Sequence, residues 1–145
     1  MRTVPDDDLV FPDAEIPPRC EHCKRDGEVT LRVTCGKIGE DGKLVTPEDA
    51  RMFLPERLVI QVAEEARFVA QVTRIDIGSE PCMVTGSPLV VAVFAENTPD
   101  TGIVFPTLGT GIEATLVLRN PSDRPIKVAA KFRGNSAYAD PADYD

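Results

Sequence analysis

Apolar and polar residues alternate most cleanly in this chain between Gly111 and Gly134. Ile112, Ala114, Leu116 and Leu118 fall on one face, against Glu113, Thr115, Val117 and Arg119. After Asn120-Pro121-Ser122-Asp123-Arg124-Pro125 the alternation resumes as Ile126, Val128, Ala130 and Phe132 against Lys127, Ala129, Lys131 and Arg133. Two such runs around a turn-forming segment predict an antiparallel hairpin with one buried face. Glu28–Thr34 alternates too, with Val29, Leu31 and Val33 inward, and Arg57–Val62 places Leu58, Ile60 and Val62 together. Arg67–Gly78 changes parity, from Phe68, Ala70 and Val72 to Ile75 and Ile77, as a β-bulge would make it. The nearly unbroken apolar run of Pro88–Glu96 predicts a central strand buried on both faces.

The segments between these runs are punctuated by glycine, proline and acids. Gly36, Gly39 and Gly42 with Glu40 and Asp41 predict a loop or loose hairpin before Leu44 and Val45. Thr46-Pro47-Glu48-Asp49 reads as a helix start, with Thr46 as N-cap, and Pro55 limits that connector helix to about two turns. Ala63-Glu64-Glu65-Ala66 is a link or a single helical turn. Pro5, Pro12, Pro17 and Pro18 predict that 1–19 is an extended arm without regular hydrogen-bonded structure. Leu9, Val10, Phe11 and Ile16 interrupt its acids, so the arm docks on its own domain or a neighbour, the alternative being disorder. Residues 20–134 form the domain and 135–145 an acidic tail holding Tyr138 and Tyr144. The fold expected is all-β: an antiparallel sandwich or jelly roll with one short connector helix, an open barrel being the alternative.

Composition narrows the classes without naming a function. A chain of 145 residues reads as one domain burying roughly 68–70% of its unfolded surface. No apolar run approaches the ~20 residues that span a bilayer, and Met1 is followed by no hydrophobic segment of secretory type. The expectation is a cytoplasmic protein, or one released without a conventional export signal. The net charge of −8 is concentrated at the ends, with −3 in residues 1–19, −3 in 134–145 and only −2 between them. Such a chain is repelled by phosphate backbones, so direct nucleic-acid binding is not expected.

Candidate chemistry is sparse. Cys20-Glu21-His22-Cys23 has the spacing of two zinc ligands, and Cys35 and Cys82 would complete a four-sulfur set. The second pair is split by 46 residues, so free thiols or a Cys20–Cys23 disulfide compete with the zinc reading. His22 is the single histidine, and every Ser-His-Asp or Cys-His scheme would have to use it. Nothing marks Ser79, Ser87 or Ser122 as an activated nucleophile, and Gly109-Thr110-Gly111 precedes a strand, so it is a turn. Glu64, Glu65, Asp76, Glu80 and Glu96 offer carboxylates for a glycosidase-like pair but read as solvated surface. Asp6-Asp7-Asp8 and Asn97-Thr98-Pro99-Asp100 carry hard oxygen ligands without a calcium-site spacing.

From Arg57 to Arg133 the order of features resembles small phage-type virion proteins built as β-sandwiches. The carriers are Leu58-Val59-Ile60, Arg74-Ile75-Asp76-Ile77-Gly78, Phe94-Ala95-Glu96 and Leu116-Val117-Leu118-Arg119-Asn120-Pro121-Ser122-Asp123-Arg124-Pro125. The last is similar to the strand–Asn–turn–strand unit of capsid, decoration and adhesin sandwiches. A nearly neutral β core, arms with apolar anchors at both ends, no export signal and no catalytic set add to this resemblance. The expectation is a non-enzymatic structural protein of a virion assembled in the host cytoplasm, or of a similar large assembly. It would bind itself or other virion subunits as a homo-oligomer or part of a hetero-assembly, through Leu9, Val10, Phe11, Ile16, Tyr138 and Tyr144. A soluble ligand-binding or zinc-knuckle adaptor domain is the alternative, though a chain without Trp and with only two Tyr is poor in sugar-binding platforms.

Overall fold

The computed structural model describes residues 2–36, 51–83, 88–96, 98 and 102–138. The strands are β1 (Arg2–Val10), β2 (Ala14–Ile16), β3 (Gly27–Thr34), β4 (Arg51–Gln61), β5 (Gln71–Ile77), β6 (Glu80–Pro81), β7 (Leu89–Val90), β8 (Glu113–Asn120) and β9 (Ile126–Tyr138). Short 3-10 turns occupy Glu64–Ala66 and Val91–Phe94. Two antiparallel sheets result, giving the all-β sandwich that the alternation predicts. In one, β9 pairs with β1 and β2 on one flank and β4 on the other; in the other, β8 lies between β3 and β5, and β5 also pairs with β6 and β7.

The expected β8–β9 hairpin is corrected. Both strands form and bury the expected faces, Ala114, Leu116 and Leu118 on one and Ile126, Val128, Ala130 and Phe132 on the other. They belong to opposite sheets, however, so the Pro121–Pro125 link carries the chain across the sandwich. The fully buried Asn120 makes the crossing. Its Nδ2 donates to the carbonyls of Arg124 (2.6 Å), Pro17 (3.2 Å) and Ile16 (3.4 Å), and its Oδ1 accepts from the Ser122 N–H and hydroxyl. One side chain thus ties β8, the turn and the end of β2, with both ends of its own buried amide paired.

The N-terminal arm docks on its own domain, one of the expected alternatives, but it does so as regular strands, which corrects the expectation that it lacks hydrogen-bonded structure. Residues 2–10 and 14–16 are strands hydrogen-bonded to β9, and β9 itself runs on to Tyr138. The prolines do not prevent this, because each sits where its missing N–H costs nothing. Pro5 lies in the register shift between Val4 and Asp7, Pro12 lies between β1 and β2, and Pro17 and Pro18 follow β2. Pro55 does not end a helix; it stands beside a second bulge, within the continuous strand β4. The helix start at 46–50 lies outside the described residues.

The parity change expected in 67–78 is present as a register shift between Val72 and Arg74. The preceding residues turn instead of extending, leaving Phe68 exposed. The run at 88–96 is also not a central strand. After two strand residues it coils into a 3-10 turn, with Val91 N–H bonded to Ala70 O and Ala92 N–H to Arg67 O. Val91, Ala92 and Phe94 are buried all the same, since a short apolar run fits a buried turn as well as a buried strand.

Inside the sandwich, Phe132 packs against Phe11 (5.6 Å between ring centroids) and edge-on against Phe105 (5.1 Å). Leu9, Ile16, Phe53, Ile75 and Leu116 belong to the same buried cluster. Gly134 marks a close backbone approach between β9 and β4, for a Cβ there would stand 2.0 Å from the Leu54 carbonyl oxygen. Replacing Gly134 with Ala should therefore force β4 and β9 apart and cost about 2–3 kcal/mol. Urea denaturation of the purified variant measures this.

Candidate functional site

The outer face of the β1–β9–β4 sheet is organised in cross-strand rows. Met52, Ala137 and Thr3 form one row, and Leu54 and Asn135 the next. Arg57, Arg133 and Asp8 follow, then Val59, Lys131 and Val10. Charges therefore occupy a belt between two mostly apolar ends. In the belt Arg133 binds Glu96 (2.8 Å) and approaches Asp8 (3.8 Å), while Lys131 also reaches Asp8 (3.3 Å). Arg57 donates to the carbonyls of Ala95 and Thr98. The hydrogen bond and charge of Arg133 hold the Glu96 carboxyl below its ordinary range. On either side, Met52, Leu54 and Val10 stand 42%, 46% and 57% exposed. A hollow of about 100 Å³ opens between Val10, Val59, Ala129 and Lys131.

Arg51 anchors the start of β4 to the N-terminal strand. Its Nη2 donates to Asp7 Oδ2 (2.9 Å) and the Asp8 carbonyl (2.9 Å), and its Nε to Ser136 Oγ (2.9 Å). The Arg51 carbonyl accepts from Cys35 Sγ and Thr110 Oγ1. Tyr138 completes the cluster, its hydroxyl 3.5 Å from Asp7 Oδ2 and its ring 6.0 Å from the guanidinium. Burial opposes the charge on Asp7. The Ser136 hydroxyl, the Asp8 N–H, Arg51 and Tyr138 together outweigh it and hold the carboxyl below 3.8.

At the far end of the sandwich, a groove of about 560 Å³ is lined by residues that include Asp13, Glu15, Gln61, Val62 and Lys127. Glu15, Ala63 and Lys127 are shared with a neighbouring hollow of about 390 Å³, which Ala66, Val69, Arg124 and Ile126 also line. The exposed Cys20–Cys23 turn lies at this end, held by Arg19 N–H to Ser122 O and Cys20 N–H to Arg25 O.

The candidate residues are distributed as follows. Leu9, Phe11 and Ile16 are core residues of this chain, at 3%, 1% and 0% exposure, which corrects their expected role as partner contacts. Val10 points outward, Tyr138 is held in the Arg51 cluster, and Tyr144 lies outside the described residues. Cys20 and Cys23 are joined as a disulfide, while Cys35 and Cys82 are separate free thiols whose titration burial pushes up. Cys35 follows the last residue of β3 and the disulfide precedes the first, roughly 26 Å apart along an eight-residue strand. The four sulfurs are thus not brought together, and among the described residues no three His, Cys, Asp or Glu side chains form a metal-binding group.

Asp76 binds Arg74 on the second sheet and Glu96 binds Arg133 on the first, so these two carboxylates are not paired with each other. Asp7 and Asp8 serve arginine and lysine partners, and Asn97, Pro99 and Asp100 lie outside the described residues. Among the described residues no helix is long and apolar enough to cross a membrane. Comparison with models of known families, with curated proteins and with solved structures found no match to this chain.

The Asp7–Arg51 geometry has a pH signature. A carboxyl titrating lower in the folded than in the unfolded chain contributes stability above the unfolded value, and loses it as pH falls through the folded one. Asp7→Asn should cost about 1–2 kcal/mol at pH 7 and flatten the stability loss below pH 3.8, since the variant lacks that titration. Denaturant titrations from pH 7 to acid check both effects.

Proposed function

We propose that this protein is a non-enzymatic structural subunit of a large assembly, a capsid, decoration or minor virion protein or its equivalent. It joins neighbouring subunits through the outer face of the β1–β9–β4 sheet. The observation that carries the reading is the pattern on that face, where Met52, Leu54 and Val10 stand exposed on either side of a belt of ion pairs. Apolar contacts beside oriented charges combine an energetic anchor with a register, as recognition surfaces do. The N-terminal segment contributes by shaping this face, with Val10 its apolar contact.

Particles or complexes isolated from the producing cells should contain the protein as a stoichiometric component by mass spectrometry. Recovery of the native protein solely as a free monomer would overturn the reading. The double variant Met52→Lys/Leu54→Lys should keep its circular dichroism and melting temperature, because both side chains already face water. It should drop out of the assembly.

A further inference from the structure

Three edge strands of the sandwich differ in how they meet solvent. β1 is interrupted by Pro5, by a bulge between Val4 and Asp7, and by the carboxylates of Asp6, Asp7 and Asp8. β4 carries Pro55 and its own bulge, and Phe53 is bridged to Leu108 by two backbone hydrogen bonds. These are the devices that keep a sheet edge from recruiting another strand. β3 has no proline, no bulge and, among the described residues, no bridging segment, and its two charges, Glu28 and Arg32, are of opposite sign. It pairs with β8 in unbroken register from Gly27↔Asn120 to Thr34↔Glu113, contains no proline or lysine, and has no strand on its other side among the described residues.

The phase of its free hydrogen-bonding groups follows from the next residue. Cys35 donates to Ile112 O and accepts from Gly111 N–H, so it is turned toward the β8 side. Antiparallel ladders alternate, so Val33, Leu31 and Val29 also spend their backbone groups on β8. Glu28, Thr30, Arg32 and Thr34 then direct N–H and C=O to the open edge.

The geometry points to β3 as a self-pairing edge: a second copy of this chain adds its own β3 antiparallel, about a two-fold axis at Thr30. That register sets Glu28 opposite the partner's Arg32 twice over, Thr30 opposite the partner's Thr30, and Val29 opposite the partner's Leu31. It is selected by charge. An axis at Leu31 places Thr30 against Arg32 and Glu28 against Thr34, with no ion pair, and an axis at Arg32 places two arginines together. Glu28 and Arg32 are both exposed, and the existing Arg32 contact to Glu113, at 3.5 Å between largely exposed groups, is easily exchanged. Cross-strand opposite charges and Thr–Thr pairs are favourable neighbours in such a ladder, and the isologous contact closes as a dimer. The inference rests on the assembly reading and names one partner within it.

Sedimentation velocity over a concentration series tests it on the full chain. The wild type should form a dimer. Glu28→Arg and Arg32→Glu should each weaken it by about tenfold or more, and the double exchange Glu28→Arg/Arg32→Glu should restore it. Thr30→Pro, which removes an N–H not used by β8, should abolish the dimer. A wild type that is monomeric throughout, or a double exchange no better than its single parents, overturns the proposal. Loss of assembly in Met52→Lys/Leu54→Lys, with self-association indifferent to the β3 charges, overturns the edge and leaves the assembly reading standing. Restoration by the double exchange, in a protein never found in particles, supports the edge and counts against the virion role.

Discussion

The double flank of β9 is the constraint on which the first sheet depends. Thirteen residues pair with β1 and β2 on one side and β4 on the other, and their side chains alternate strictly between core and surface. A slip of one residue would turn Phe132, with its contacts to Phe11 and Phe105, out to water. Burying one such side chain contributes about 1.5–3 kcal/mol, so several inverted positions would exceed the stability of an ordinary domain. Both flanking strands absorb their irregularities at the same level of β9. Pro5 and Asp6 bulge out opposite Asn135, Glu56 bulges beside Gly134, and Asn135 bonds both, through Asp6 N–H and Glu56 Oε1. Gly134 leaves the space for the Leu54 carbonyl. The bulges are matched features of one junction.

Period-two patterning made the strands legible and left their partners hidden. Alternation located β3, β8 and β9 to within a few residues and identified their buried faces, because a half-buried strand leaves that trace whatever it pairs with. It carries no information on whether two consecutive strands lie side by side or face each other, since β8 and β9 would bury the same residues either way. The answer lay in Asn120, a side chain whose partners Ile16 and Pro17 are more than a hundred residues away. Arg51 was invisible for the same reason, with partners at both Asp7 and Ser136. The prolines of the first nineteen residues misled because their cost depends on which way an absent N–H would have pointed. The apolar run around Val91 misled because burial alone does not distinguish a strand from a tight turn.

Charge was legible in amount and misread in use. In the sequence the acids near the N-terminus belong to an extended arm, docked or disordered, beside a nearly neutral domain. Asp7 and Asp8 instead face Arg51, Lys131 and Arg133 across the sheet. The N-terminal segment is held in place both by burial, through Leu9 and Phe11, and by the ion pairs of Asp7 and Asp8. These are different physical terms: burial is insensitive to salt and acid, whereas the ion pairs weaken with both. A strand attached by two such terms stays in place when either is reduced. That argues for the N-terminal segment as a permanent wall of the sandwich, and it shifts any contact role from an arm that reaches out to the sheet face and sheet edge that the arm helps to build.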